Sequence, residues 1–153
     1  MKICISCSAG GHLIEALQIK EAYEDWDHFF ITFYQEGVID ELKNERVYFL
    51  TDIKRNVFLF LKCFFETFLV MVKEKPNVII STGAGISIPS IIIGKIFLRS
   101  EIIFIESFTR IHEPSLSGRI AYYFSDLFFV QWKQLLKRYG KKAIYRGAVV
   151  WFL

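Results

Sequence analysis

A histidine follows two glycines near the start of the chain, in the run Ser8-Ala9-Gly10-Gly11-His12. A short apolar segment precedes this run and a helix-like segment follows it, so the glycines lie where a strand passes into a helix. The free N–H groups of a helix N-terminus bind phosphate and other anions through hydrogen bonds and the helix dipole. We therefore predict that Ser8, Gly10 and Gly11 bind an anionic group, and that His12 projects into the same crevice.

A second loop repeats this chemistry further along the chain, in Ser81-Thr82-Gly83-Ala84-Gly85-Ile86-Ser87. Here too a buried strand ends, glycines follow, and a new helix begins with hydroxyl groups at its mouth. Two helix N-termini on one sheet edge can hold the two phosphates of a diphosphate, which predicts binding roles for Thr82, Gly83, Gly85 and Ser87. The alternative is a pair of ordinary strand-to-helix turns.

A third loop places Glu106 and Arg110 after the fifth apolar segment. A carboxylate at the end of a strand can act as a base or orient another group, and an arginine there can clamp a phosphate. A structural salt bridge between Glu106 and Arg110 is the alternative.

Two cysteines, Cys4 and Cys7, have the C-x-x-C spacing of redox and zinc motifs. Residues three apart on a strand face opposite sides, so the two sulfur atoms are expected to diverge. A redox pair would also need Cys4 at a helix N-terminus, and it lies inside the apolar run instead. No His, Asp or Glu cluster has the spacing of metal ligands, and we predict neither a metal nor a cofactor.

The composition favours a single domain with apolar surface to spare. The 153 residues suit one domain, predicted over 1–153, and hydrophobic residues make up 53% with 16 phenylalanines. The net charge is only +3, and no nucleic-acid recognition motif accompanies it. The basic residues near the C-terminus suit anionic lipid head groups better. They are Lys133, Lys137, Arg138, Lys141, Lys142 and Arg146. Because no secretory signal begins the sequence, a cytoplasmic location is expected.

The segment from Val57 to Val72 is hydrophobic enough for a membrane span but shorter than the roughly 20 residues that a span needs. Lys62 and Glu66 lie near its middle at i,i+4 spacing, where they are expected to pair on one face. A charged pair at the centre of a bilayer is costly. We therefore predict a helix of the fold, whose apolar outer face is compatible with shallow burial in a membrane surface.

Strand-like and helix-like segments alternate along the whole chain, which predicts an α/β fold with a doubly wound parallel sheet covered on both faces. Ligands of such sheets bind at the carboxyl ends of the strands, where all three loops should lie. After the first apolar run, the predicted strands are His28–Phe33, Arg46–Leu50, Asn77–Ser81, Glu101–Ile105, Leu127–Val130 and Ala143–Arg146. The predicted helices are Leu13–Glu24, Val38–Lys43, Asn56–Lys73, Ile86–Leu98, Leu116–Phe124 and one that ends at Arg138.

With the glycine loops placed, the chain resembles the membrane-anchoring subunit of two-subunit, inverting UDP-sugar glycosyltransferases. The resemblance covers nearly the whole chain and is most specific in two later runs. They are Ile105-Glu106-Ser107-Phe108-Thr109-Arg110 and Leu116-Ser117-Gly118-Arg119-Ile120, continued by Asp126 and Val130-Gln131-Trp132. Such subunits occur among bacterial capsule and exopolysaccharide proteins, and a eukaryotic one helps to add the second N-acetylglucosamine to a dolichol-linked sugar.

This resemblance implies a Rossmann-like, glycosyltransferase family 28-like domain that forms the N-terminal, acceptor-side half of a GT-B glycosyltransferase. A separately encoded subunit would hold most of the UDP-sugar, and the enzyme would be active only with both chains. This chain would bring that partner to the cytoplasmic face of the plasma membrane and receive a polyprenyl-diphosphate-linked acceptor. Its own membrane attachment would come from the Phe-rich surface and the basic residues.

Inverting transfer needs a base that takes the proton from the acceptor hydroxyl. Histidine suits this role because its unperturbed pKa lies near 6.5, and a helix N-terminus favours its neutral form. We therefore prefer His12 as the base, with Glu106 as the alternative base or as a group that orients His12.

Two other functions remain possible at this point. A dinucleotide-binding oxidoreductase would need an acidic residue at the end of the second strand, whereas this strand ends Thr32-Phe33-Tyr34-Gln35. A non-catalytic anchor that only recruits and activates the partner would keep the same fold and much of the same surface. The apolar run Gly147–Leu153 fits a docking segment for the partner or burial against its own domain.

Overall fold

The computed structural model describes residues 1–149, and these residues contain one seven-stranded sheet in the order β3-β2-β1-β4-β5-β6-β7. All six strand pairs are parallel. The strands are β1 (Lys2–Ser6), β2 (Asp27–Phe33), β3 (Val47–Leu50), β4 (Val78–Ser81), β5 (Glu101–Ile105), β6 (Leu127–Val130) and β7 (Ala143–Tyr145). The predicted Rossmann-like parallel sheet is confirmed.

Helices cover both faces of this sheet. They are α1 (Gly11–Gln18), α2 (Val38–Glu41), α3 (Val57–Glu74), α4 (Ser87–Ile93), α5 (Leu116–Phe124) and α6 (Leu136–Tyr139). On one face, Met71 of α3, Ile91 of α4 and Ala121 of α5 join a core with the strands. On the other face, Leu13 of α1 and Val38 of α2 form a second core. The two layers bury both faces of the sheet, as its nearly continuous apolar strands require.

The strand order reverses at β1, which pairs with β2 on one side and with β4 on the other. Parallel order makes every strand end at the same edge, and a crevice opens where the strand order reverses. The loops that follow β1, β4, β5 and β6 therefore lie along one edge of the sheet.

The first helix is shorter than the sequence predicts, because α1 ends at Gln18 and only a single 3-10 turn, Lys20–Ala22, follows. Tyr23, which the prediction places on the helix, is fully buried in the core. Its hydroxyl donates a hydrogen bond of 3.0 Å to the carbonyl of Ala16 in the last turn of α1. Burial of this ring and capping of that carbonyl explain why the chain leaves the helix early.

The helix predicted over Ile86–Leu98 also divides, since α4 is α-helical only to Ile93 and continues as a π-helical turn from Gly94 to Leu98. At Gly94 the backbone lies directly against the side chain of Ile79, with no room for a Cβ atom. The widened turn therefore begins where the helix backbone lies against a side chain of β4. Similarly, the helix predicted to end at Arg138 is a 3-10 turn, Lys133–Leu135, followed by α6.

The long hydrophobic helix α3 packs on the fold through Met71, and Asn56 caps it by accepting hydrogen bonds from two backbone N–H groups. The predicted i,i+4 pair forms, with Lys62 Nζ 3.8 Å from Glu66 Oε1. Glu66 also accepts hydrogen bonds from the backbone and the hydroxyl of Thr51. Within residues 1–149, no helix combines the length and the apolar character needed to cross a membrane.

The two cysteines of the C-x-x-C run lie in different cores, as predicted: Cys4 on the α3 side of the sheet and Cys7 on the α1 side. Both thiols are free and buried, and burial raises the pKa of Cys7 to about 12. Over the range 1–149, no group of three or more His, Cys, Asp and Glu residues is placed to hold a metal ion.

Candidate functional site

His12 lies in the second position of α1 and is fixed by the loop after β4. Its Nδ1 is 2.8 Å from the carbonyl oxygen of Thr82, and the Thr82 hydroxyl donates a 2.7 Å hydrogen bond to the carbonyl of His12. A carbonyl oxygen can only accept, so Nδ1 carries the proton. In the neutral ring, Nε2 then carries the free lone pair, and no hydrogen-bond partner for it occurs among the residues described here.

The surroundings of His12 keep the ring neutral near pH 7. Burial lowers the pKa of His12 below its ordinary 6.5, although the hydrogen bond to Thr82 and the charge of Glu106 act in the opposite direction. The charge of Arg110 lowers the pKa further. A neutral imidazole with a free Nε2 lone pair is the form that can accept a proton.

The loop after β4 supports the His12 ring and turns its other polar groups inward. Gly83 has a φ of +116°, and a Cβ atom there would lie 2.9 Å from Cε1 of His12, so only glycine allows this close approach. Thr82 and Ser87 are fully buried, and the Ser87 hydroxyl donates to the carbonyl of Ala84. Gly85 packs directly against the side chain of Ile53. This loop therefore holds the histidine, and its predicted role in binding a diphosphate stays a prediction.

The first glycine loop, in contrast, borders open space. Gly10 precedes α1 with no side-chain cap, and neither Gly10 nor Gly11 has an atom within 4 Å of the place where a Cβ would stand. Ser8 is half-buried beside them. A ligand can therefore approach the N-terminus of α1 next to His12.

Glu106 is buried at the end of β5, only 1% exposed, and both of its oxygen atoms accept hydrogen bonds. Oε1 accepts from the backbone N–H of Ser107 at 3.0 Å. Oε2 accepts from the backbone and the hydroxyl of Ser115, at 3.1 and 3.0 Å, and from the hydroxyl of Tyr139. These contacts join the start of α5 and the end of α6 to the edge of the sheet.

Arg110 is exposed, and no ion pair joins it to Glu106 in the part of the chain that the structure describes. The alternative of a structural salt bridge between them is therefore wrong.

The hydroxyl of Tyr139 remains a donor to Glu106. Burial of Tyr139 and its hydrogen bond to Glu106 raise the pKa of Tyr139, so this hydroxyl stays protonated.

Gly118 lies so close to the carboxylate of Glu106 that no side chain fits between them. A Cβ atom at this position would overlap Oε2 of Glu106 and the hydroxyl of Tyr139, and would stand 2.9 Å from the hydroxyl of Ser115. We expect Gly118→Ala to lower the free energy of unfolding by about 2 kcal/mol, because the overlap forces these groups apart. Urea unfolding followed by circular dichroism measures the loss. Gly11→Ala is the matched control, since its Cβ enters open space; equal losses in both variants would contradict the explanation.

A second buried carboxylate at this edge, Glu15 of α1, is 4% exposed and was not among the predicted site residues. Its Oε1 accepts hydrogen bonds from the hydroxyl of Ser107 at 3.0 Å and from the backbone of Phe108 at 3.1 Å. Its Oε2 accepts from Nε2 of Gln131 at 3.1 Å. Burial raises the pKa of Glu15 despite these bonds. One signal was available: Glu15 follows His12 by three residues, and so shares its face of the helix.

Gln131, directly after β6, connects the two buried carboxylate sites. Its Nε2 also donates to the carbonyl of Glu106 at 3.0 Å, and its Oε1 accepts from the backbone of Val149. Trp132 donates from its indole nitrogen to the carbonyl of Phe108 at 2.6 Å. Of the run Gly147–Leu153, Val149 therefore docks on this edge, and residues 150–153 lie outside the described part of the chain.

Comparison with known proteins shows the family of this chain. The sequence model of a family described as "Oligosaccharide biosynthesis protein Alg14 like" matches residues 48–149, two thirds of the chain. The chain belongs to this family. The matched range includes Glu106, Gly118 and Gln131, and it begins after His12.

Relatives with the same family name cover different shares of the chain. The rat protein named "UDP-N-acetylglucosamine transferase subunit ALG14" is 32% identical over 100 residues, 62% of this chain and 46% of the relative. The human protein of that name is 31% identical over 99 residues, 61% of this chain and 45% of the relative. The mouse protein is 24% identical over an alignment of 188 positions, which covers 98% of this chain and 83% of the relative. The chain spans about half the length of the rat and human relatives that it matches.

Solved structures share the fold. MurG from Acinetobacter baumannii superposes with a TM-score of 0.77 at 13% identity, over 97% of this chain and 45% of that one. A UDP-N-acetylglucosamine 2-epimerase from Rickettsia bellii gives 0.76 at 14% identity, over 97% and 45%. The expected likeness to one half of a GT-B glycosyltransferase is confirmed at the level of the fold.

Proposed function

We propose that this chain is the acceptor-side subunit of an inverting UDP-sugar glycosyltransferase. A separately encoded subunit binds the UDP-sugar, and the assembled enzyme extends a polyprenyl-diphosphate-linked saccharide, in the setting of capsule or exopolysaccharide biosynthesis. The names of the relatives make UDP-N-acetylglucosamine the first donor to test. The fold is consistent with a glycosyltransferase subunit, because the chain superposes on 45% of MurG with a TM-score of 0.77.

The observation that carries the proposal is the state of His12. Its Nδ1 is held as a donor by the Thr82 carbonyl, its Nε2 is left free, and open space lies beside Gly10 and Gly11. In the proposed reaction, Nε2 of His12 takes the proton from the acceptor hydroxyl while that oxygen attacks the anomeric carbon of the donor sugar. The bond from that carbon to the UDP oxygen breaks, and UDP leaves with the electron pair. The N–H groups at the start of α1 and the guanidinium of Arg110 would bind the diphosphate of the acceptor.

Transfer of radiolabelled sugar to acceptor lipid tests this function. UDP-N-acetylglucosamine and other UDP-sugars are supplied to membranes with this chain alone, with the donor-binding subunit alone, and with both. We expect transfer only with both chains. Transfer by this chain alone would contradict the divided enzyme, and no transfer from any UDP-sugar with both chains present would contradict the proposed reaction.

A second function, a non-catalytic anchor and activator of the partner, is favoured by one observation. The family match covers residues 48–149 and leaves out the loop that carries His12. Such an anchor would still need the Glu106 and Gln131 contacts that keep the edge of the sheet in order. A His12→Ala variant separates the two functions, because an anchor would retain full activity.

The same proposal places the chain on a membrane surface, and α3 offers the surface for it. Five apolar residues at helical spacing point outward along its length: Phe58, Leu61, Phe65, Leu69 and Val72. Phe58 is 82% exposed, and Phe97 of the neighbouring π-helical turn, which contacts Phe68, is 62% exposed and widens the stripe. Apolar surface of this extent marks an interaction site, and the exposed residues Lys54, Arg55 and Lys62 beside it suit anionic head groups.

Flotation with vesicles that contain anionic phosphatidylglycerol checks this contact. We expect Phe58→Ser with Phe65→Ser to lower the vesicle-bound fraction at least about tenfold, because each phenylalanine buried in the interface is worth about 1.5–3 kcal/mol. Tyr123→Ser, on α5, is the matched control, since it also removes an exposed aromatic ring. If both variants float like the unchanged protein, α3 is not the membrane contact.

A further inference from the structure

A cleft of about 580 Å³ lies beside the site described above, at the carboxyl ends of β6 and β7. Its described lining consists of Trp132, Lys133, Gln134, Lys137 and Tyr145. Trp132 follows β6 by two residues and Tyr145 ends β7, so the cleft opens at the same edge of the sheet as His12. This is the edge at which ligands of parallel sheets bind.

The charge in this cleft is of one sign. None of its five described lining residues is acidic, and no ion pair within residues 1–149 includes Lys133 or Lys137. Both lysines line the same cleft, where their like charges repel each other. An anion with two charged groups would relieve that repulsion by bridging the two ammonium groups.

The walls of the cleft add aromatic surface in fixed positions. The indole N–H of Trp132 donates to the carbonyl of Phe108, and the two rings pack with their centroids 5.0 Å apart. Nζ of Lys133 lies 5.5 Å from the centroid of the Tyr145 ring, so one lysine is already held against the wall. Aromatic rings next to unpaired lysines provide contact area for an organic group and charge for the phosphates that it carries.

We propose that this cleft binds the diphosphate group of a diphosphate ester, with Lys133 and Lys137 on the phosphates and Trp132 and Tyr145 against the esterified group. The proposed function, on which this inference rests for the choice of ligand, supplies two sources of such a group: the UDP of the donor and the polyprenyl diphosphate of the acceptor. The cleft is separate from the α1 N-terminus and adds a second anion site to the same edge of the sheet.

Calorimetric titration of the full chain tests the proposal with four probes: UDP, uridine, inorganic pyrophosphate and farnesyl diphosphate. We expect the diphosphates to bind and uridine to bind at least about tenfold more weakly than UDP, because charged hydrogen bonds provide most of the affinity. Lys133→Gln with Lys137→Gln should weaken diphosphate binding at least about tenfold. Lys43→Gln with Lys141→Gln, which removes two exposed lysines outside the cleft, should leave it unchanged.

The ranking of the probes identifies the source of the group. Tighter binding of UDP than of farnesyl diphosphate indicates the donor, and the reverse order indicates the acceptor. If pyrophosphate binds as tightly as these two esters, the cleft recognises the phosphates alone. Each of these three results supports the cleft as a diphosphate site. No binding of any diphosphate at about 5 mM, or equal weakening in the two lysine pairs, overturns it. If the chain binds diphosphates but the two-chain enzyme transfers no sugar, only the proposed function is contradicted. If the enzyme transfers sugar but Lys133→Gln/Lys137→Gln binds diphosphates as tightly as the unchanged chain, only this inference is contradicted.

Discussion

Replacing His12 with alanine should lower sugar transfer by the two-chain enzyme by about 10²- to 10⁴-fold, the range that a positioned general base contributes. The structure gives the reason: the Thr82 carbonyl holds the proton on Nδ1, so the lone pair of Nε2 is available to the acceptor hydroxyl. Alanine keeps the helix, because position 12 lies inside α1, where alanine is favourable. The measurement is the initial rate of radiolabelled sugar transfer with saturating partner subunit.

Binding of the partner is the control for this prediction, and it should be unchanged in His12→Ala. Full transfer by the variant would contradict a catalytic His12 and reduce the chain to an anchor.

The pH profile gives an independent check. Because burial lowers the pKa of His12 below 6.5, the fall in kcat/KM on the acid side should begin below that pH, as the imidazole takes up a proton. The unfolded chain takes up this proton first as the pH falls, so His12 should also reduce stability from about pH 6.5 downward.

Replacing Glu106 with alanine should lower the free energy of unfolding by about 3 kcal/mol or more. The carboxylate accepts hydrogen bonds from Ser107, Ser115 and Tyr139, and its removal leaves these buried or half-buried donors without their acceptor. Each buried polar group left unsatisfied costs about 1–3 kcal/mol. Urea unfolding of the isolated chain measures the loss, and the slope against urea concentration shows whether the native state stays compact.

Glu113→Ala is the matched control, because this glutamate is exposed and only forms an ion pair of 2.7 Å with Arg138 on the surface. Its loss should cost no more than about 1 kcal/mol. Glu106→Gln gives a finer test, since an amide that keeps its oxygen toward Ser115 and Tyr139 turns its NH2 group toward the N–H of Ser107. Equal stability of the Glu106→Ala and Glu113→Ala proteins would contradict the structural role of Glu106.

Local sequence patterns predicted the sheet well, because each strand is a short apolar run bounded by polar or glycine residues. The bounds of β5, α5 and β6 agree with the predicted segments Glu101–Ile105, Leu116–Phe124 and Leu127–Val130. The helix boundaries failed where tertiary contacts decide them. Tyr23 leaves the first helix to enter the core, and Gly94 widens α4 against Ile79. Neither contact has a signature within a few residues of sequence.

The sequence was sufficient to predict which loops form the candidate site, but not the hydrogen bonds of the buried carboxylates beside it. Loop chemistry and parallel order sufficed to bring His12 and Thr82 to one edge. The partners of the buried carboxylates are far away in the sequence: Glu15 and Ser107 are 92 residues apart, and Glu106 and Tyr139 are 33 apart. The packing of the helices on the sheet decides which polar side chains meet inside the protein. Residue spacing alone does not specify these contacts.

Because β1 lies inside the sheet between β2 and β4, its two edges become paired at different times during synthesis. Its pairing with β2 can form early, whereas its other edge waits for β4, which begins at Val78. At the usual rate of about 5–20 residues per second, the intervening stretch takes the ribosome roughly 4–15 s to produce. During that time an apolar strand edge lies open to other nascent chains. We therefore expect chaperone supply and translation speed to influence the yield of this protein.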